Sequence, residues 1–116
     1  MTVHLEAYEL VLLRRPADAT QYDDDTLKRI QREHIAYHAS LRSTGDMVTN
    51  GPVVDQPDAS LRGLAFYRTG SLERARELAE ADPAVQAGRL AVDVMHWWSA
   101  AGTMTKPGRP ISVDDD

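Results

Sequence analysis

Alternation opens the chain. From His4 to Leu13, HLEAYELVLL puts Tyr8, Leu10 and Leu12 on one side of an extended segment and Ala7, Val11 and Leu13 on the other. Both sides are largely apolar, which predicts a strand covered on both faces. Arg14-Arg15-Pro16 closes it, because proline cannot donate to a sheet ladder. Residues 17–22 read as a loop. The period then changes. Leu27, Ile30, His34, Tyr37 or His38, and Leu41 recur at steps of three and four, the spacing of one helix face. Asp23-Asp24-Asp25 supplies carboxylates to cap the helix start, and Gly45 suits its end. Met47 to Val54 returns to β character, interrupted by Asn50-Gly51-Pro52, where a glycine suggests a bulge or a close backbone approach. Residues 55–61 are a polar turn.

Gly63 to Thr69 alternates as a third strand, and Gly70-Ser71 breaks it with a capping serine. A second helix, Leu72 to Ala81, buries Leu72, Ala75, Leu78 and Ala79. Asp82-Pro83 begins a further short helical turn that Gly88 closes. Arg89 to Trp98 is the fourth strand, with Leu90, Val92 and Val94 on one face and Ala91, Met95 and Trp97 on the other. The order β-α-β-β-α-β predicts an α+β, ferredoxin-like domain over residues 1–98: an antiparallel four-stranded sheet with two helices on one face. Residues 99–116 form a C-terminal tail, extended or partly disordered or draped over a partner. Because the first and last strands are apolar on both sides, the helix-free face needs a second subunit, so a homodimer packed through its sheets is expected.

Composition narrows the function classes. The 116 residues are 42% hydrophobic and 27% charged, with a formal charge of −5. An acidic chain without a basic stripe argues against nucleic acid as partner. The longest early apolar run, Leu10 to Leu13, is too short for a membrane span, and the first residues lack the pattern of a secretion signal. Together with the lack of cysteine, this leads to the expectation of a cytoplasmic protein without disulfides or thiol nucleophiles. Neither a G-x-G-x-x-G nor a P-loop is present, so no cofactor is expected.

Three segments, REHIAYHASL, GDMVTNGPV and AEADPAVQAG, together resemble the YCII-related proteins. In that family a helix histidine precedes a glycine-to-Gly-Pro stretch, and a later unit ends in Asp-Pro followed by Ala-Gly. The resemblance spans roughly residues 3–98 and rests on the ordered combination, since each dipeptide alone is common. It implies a ferredoxin-like dimer related to the dimeric α+β barrels, with a His-Asp pair in a cleft between sheet and helices. His34 stands at the family's histidine and Asp82 at its aspartate. One group of relatives eliminates chloride from a chlorinated hydroquinone. Ala84 replaces an aromatic often found after Asp-Pro, and the tail is longer than in compact relatives. Both departures alter the pocket wall, so no relative's substrate is carried over.

The candidate catalytic residues are therefore His34 and Asp82. A carboxylate beside an imidazole favours its charged form and selects its tautomer, and imidazole as a class titrates near neutral pH. The competing readings are a core histidine satisfied by a backbone carbonyl and an aspartate that only caps a helix. His38, at i+4 from His34, has metal-ligand spacing but lacks an obvious third ligand, so no metal is assigned. It is placed at the pocket edge with Tyr8, Tyr37, Asn50, Gly51 and Pro52 as substrate-binding candidates. For the tyrosines, core or interface is the alternative; for Asn50-Gly51-Pro52, a bulge and turn. Trp97 and Trp98 read as interface first. Arg14, Arg15, Arg62 and Arg68 could meet an anionic substrate or simply face solvent. Two functions stand. One is a cofactor-independent enzyme of lyase, isomerase or dehydrohalogenase type, moving a proton through His34 and Asp82. The other is a non-catalytic, ligand-binding or accessory dimer module.

Overall fold

The computed structural model describes residues 1–114. Its elements in chain order are β1 (Leu5–Arg14), α1 (Asp24–Thr44), β2 (Met47–Pro52), β3 (Leu61–Tyr67), α2 (Leu72–Glu80), α3 (Pro83–Gln86) and β4 (Ala91–Ala100). The sheet runs β2-β3-β1-β4, and β1 pairs antiparallel with both β3 and β4, as β2 does with β3. This is the ferredoxin-like arrangement, α+β with both long helices on one side of the sheet.

The register fixes which side. Val11 lies opposite Ala65 and Val94, and Leu13 opposite Gly63 and Val92. Val11 and Leu13 form the core with Ile30 and Leu41 of α1, Ala75 and Ala79 of α2, and Ala84 of α3. Small alanines at 75 and 79 let α2 approach the sheet closely. Leu72, expected in this core, is instead exposed, because it stands in the first turn beyond the edge of the packed face. Glu9, on the same side as Val11, is only 2% exposed. Its carboxylate is satisfied by the Thr69 amide at 2.8 Å and the Thr69 hydroxyl.

Local chemistry sets the ends. Asp23 caps α1 by accepting from the Thr26 amide at 2.8 Å, and Gly45 ends it at φ 86°, where a side chain would be strained. Ser71 caps α2 and Asp82 caps α3. β2 continues through Asn50-Gly51-Pro52; the irregularity expected at Gly51 falls between Met47 and Thr49. Pro52 is tolerated because β2 is an edge strand. The close approach occurs one strand over: a Cβ on Gly63 would lie 3.0 Å from the Gly51 carbonyl oxygen. β4 extends two residues past Trp98, to Ala100. The Ala101 amide then bonds the His4 carbonyl at 3.1 Å. Residues 104–114 are exposed and contain no helix or strand; the last two tail residues, 115 and 116, lie outside the described residues. No helix among the described residues is long and apolar enough to cross a membrane.

Candidate active site

Two helices and one edge strand bring the polar groups together. His34 and His38 are one turn apart on α1, on the side that faces α3 and β2. Asp82 begins α3, where Pro83 supplies a preset first helical residue. Its two oxygens divide the work. Oδ1 accepts from the Ala84 amide at 2.9 Å. Oδ2 meets His34 Nδ1 at 2.6 Å and His38 Nε2 at 3.0 Å. Capping and histidine pairing therefore coexist on one carboxylate.

The tautomers follow from the next contacts. The Arg42 guanidinium donates to Asn50 Oδ1, which orients the amide. Asn50 Nδ2 then donates to His38 Nδ1 at 3.0 Å, so His38 carries its proton on Nε2 and gives it to Asp82. His34 likewise donates from Nδ1. Its Nε2 is left as the nitrogen that can take or give a proton.

Asp82 is fully buried, whereas the His34 side chain is 14% exposed. Burial opposes the Asp82 charge, but the hydrogen bonds from His34 and His38, the His34 charge and the Ala84 amide outweigh it. They hold the carboxyl down at about 2. A depressed folded-state pKa stabilises the fold at pH values above the ordinary carboxyl range and loses that contribution as pH falls toward 2. Denaturation measured across pH 5 to about 2 is therefore expected to cost the wild type on the order of 2 kcal/mol that Asp82→Asn does not lose over the same range. Parallel curves for the two proteins would contradict this assignment.

His34 lines a cavity of about 390 Å³, together with Asn50, Gly51, Pro52, Arg15 and Arg62 among others. The size suits a small organic molecule. Asn50 and Pro52 share the helix-side face of β2, since they lie opposite Ala65 and Gly63. Three candidates lie elsewhere. Tyr8 pairs with Trp97 on the outer face of the sheet and packs edge-on to Phe66 at 6.5 Å, because its alternation is opposite to that of Val11. The Tyr37 hydroxyl donates to the Leu78 carbonyl at 2.6 Å and ties α1 to α2. His38 is 1% exposed and sits behind His34, not at the pocket edge, because the i+4 step carries it deeper between α1 and β2. Of the four arginines, Arg14 is taken by Asp58 and Asp93, and Arg15 and Arg62 reach the cavity. Sequence reading passed over Gln31, one turn before His34, and Arg42, which acts through Asn50. The i−3 spacing from His34 was the signal available for Gln31.

The same three side chains can be read as metal ligands. One atom each from His34, His38 and Asp82 lie within 4.8 Å of one another, so Asp82 is the third group the i,i+4 spacing needed. In the geometry present, both nitrogens donate to a single oxygen. A cation would have to displace both protons and spread a 2.6 Å contact that is already a hydrogen bond.

Sheet order, one-sided helices and a histidine–carboxylate pair beside a cavity define a ferredoxin-like domain with a candidate site. The YCII-related domain matches residues 9–98, and the chain belongs to that family. Among solved structures, it is similar to 5-chloro-2-hydroxyhydroquinone dehydrochlorinase from Burkholderia phenoliruptrix AC1100, in complex with 2,5-dihydroxybenzoquinone. That likeness has a TM-score of 0.56 at 18% identity and covers 78% of this chain and 92% of the other. At this identity the likeness carries the fold. No curated protein matches the sequence.

Proposed function

We propose that the chain is a cofactor-independent enzyme acting on a small organic molecule by proton transfer followed by elimination or isomerisation. The observation that carries this is the 2.6 Å contact between His34 Nδ1 and the buried Asp82, beside an open cavity that His34 lines. His34 Nε2 takes a proton from a carbon or hydroxyl of the substrate. The electrons of that bond form a new double bond, and a leaving group such as halide departs with its own pair. Asp82 holds the Nδ1 proton and stabilises the imidazolium until the proton returns to solvent or product. The structural neighbour is named as a dehydrochlorinase; elimination of halide is accordingly the first reaction to try. Chloride release from chlorinated hydroxyhydroquinones, above the rate without protein and without added metal or cofactor, is the test. Binding without release would favour the non-catalytic module. Lack of cysteine suits a cytoplasmic setting.

The proposal extends to a homodimer of the dimeric α+β barrel type, closed through the outer sheet face. Tyr8, Phe66 and Trp97 form an aromatic cluster there, with Phe66–Trp97 centroids 5.2 Å apart, and Leu10 and Met95 lie on the same side. Among the described residues, the helices of the core pack on the opposite, Val11 side of the sheet. Met95→Arg leaves the helix-side core untouched and is expected to halve the mass seen by light scattering. A monomeric wild type would refute the dimer.

A further inference from the structure

Charge is unevenly spread in this acidic chain, and the cavity lies in the basic part. No aspartate or glutamate lines it among the described residues, although acids outnumber Lys and Arg by 18 to 13 overall. Arg15 and Arg62 do line it. A smaller cleft of about 130 Å³ shares Arg15, Gln31 and Leu90 with the main cavity, adds Arg89, and likewise has no acid in its wall among the described residues. The contrast with Arg14 is direct. Arg14, one residue earlier, is neutralised by Asp93 at 2.8 Å and Asp58 at 3.1 Å. Arg15 and Arg62 have no carboxylate partner among the described residues.

The guanidinium of Arg15 is also placed, not loose. Its Nε donates to the Arg89 carbonyl at 2.8 Å, which leaves the two terminal nitrogens for another acceptor. Arg89 is held in turn by donating to the Thr20 carbonyl at 3.0 Å. Burial, and then the like charges of Arg89 and Arg62, pull Arg15 below its ordinary pKa. An arrangement that holds like charges together, partly out of water, is relieved by an anion. The rest of the wall includes Leu13, Ile35 and Leu90, which suit an apolar body.

We propose that Arg15 and Arg62 form a carboxylate-binding subsite, so that the cavity takes a small organic acid whose apolar part lies between its carboxylate and His34. A planar carboxylate matches the paired donors of a guanidinium. The inference rests on the enzymatic reading and narrows it: a carboxylate-bearing compound, in place of a hydroxyhydroquinone, becomes the preferred substrate of the same cavity.

The test compares benzoate with benzamide, which share shape and differ in charge, by nuclear magnetic resonance of the arginine side chains at about pH 8, where imidazole is ordinarily neutral. Benzoate is expected to bind about tenfold more tightly than benzamide and to move the Arg15 and Arg62 Nε signals. Arg62→Gln, at an exposed position, removes most of that preference; Arg15→Lys, which keeps charge but not the fork, reduces it. His34→Ala keeps the preference. Failure of catalysis and failure of the subsite are thereby separable. Equal binding of benzoate and benzamide, or an undiminished preference in Arg62→Gln, would overturn the subsite.

Discussion

His34→Ala is expected to lower turnover about 10²- to 10⁴-fold, the range over which a positioned acid or base contributes. The fold should survive. His34 is only partly enclosed, and its removal leaves Asp82 with two partners, His38 at 3.0 Å and the Ala84 amide at 2.9 Å. The stability cost is that of one charge-assisted hydrogen bond, about 1 to 3 kcal/mol. Turnover and stability therefore separate in this variant. The check is steady-state kinetics on a turned-over substrate, beside a urea melt of the same preparation. An alanine variant with wild-type turnover would remove His34 from the mechanism.

Asp82→Asn is expected to reduce turnover by about 10³-fold or more, through the tautomer and not through loss of contact. Asparagine can keep the cap, because its carbonyl oxygen can still accept from Ala84. The group replacing Oδ2 is then an amide that donates. It faces His34 Nδ1 and His38 Nε2, both of which are donors in the wild type. His34 relieves the clash by moving its proton to Nε2, and so loses the lone pair that would accept from substrate. His38 is fixed the other way round by Asn50 and Arg42, and would be left with an unmet donor. The expected destabilisation at neutral pH is on the order of 2 kcal/mol, the linkage value of the depressed carboxyl. Asp82→Ala loses the cap as well and should be the less stable of the two. Near-normal turnover in Asp82→Asn would mean that the carboxylate only shapes the helix start.

The architecture was legible because period and punctuation agreed. Alternation in Leu5–Arg14, the three-four spacing of Leu27, Ile30, His34 and Leu41, and caps at Asp23, Gly45 and Ser71 all pointed to the elements found. Alternation also separated Tyr8 from Val11, but periodicity alone does not say which face the helices cover. Only the packing of Ala75 and Ala79 against Val11 and Leu13 decides it, and Tyr8 falls on the far side. The pairing of His34 with Asp82 came from the family resemblance, not from spacing, since 48 residues separate them. The depth of His38 was not readable for a related reason. At i+4 a side chain can face a cavity or sit beneath it, and the choice depends on β2 supplying Asn50. The cavity's basic wall escaped for the opposite reason: Arg14 and Arg15 look alike in the chain, and only the neighbouring acids Asp58 and Asp93 distinguish them.

The proton on the first-helix imidazole is the most direct thing to observe. Nitrogen-15 spectra of the histidine rings, recorded with the neutral form populated, are predicted to show His34 protonated at Nδ1 with a bare Nε2. In Asp82→Asn the pattern should be reversed. The same ring pattern in both proteins, or a wild-type His34 protonated at Nε2, would contradict the proposal that Asp82 prepares this histidine to move a substrate proton.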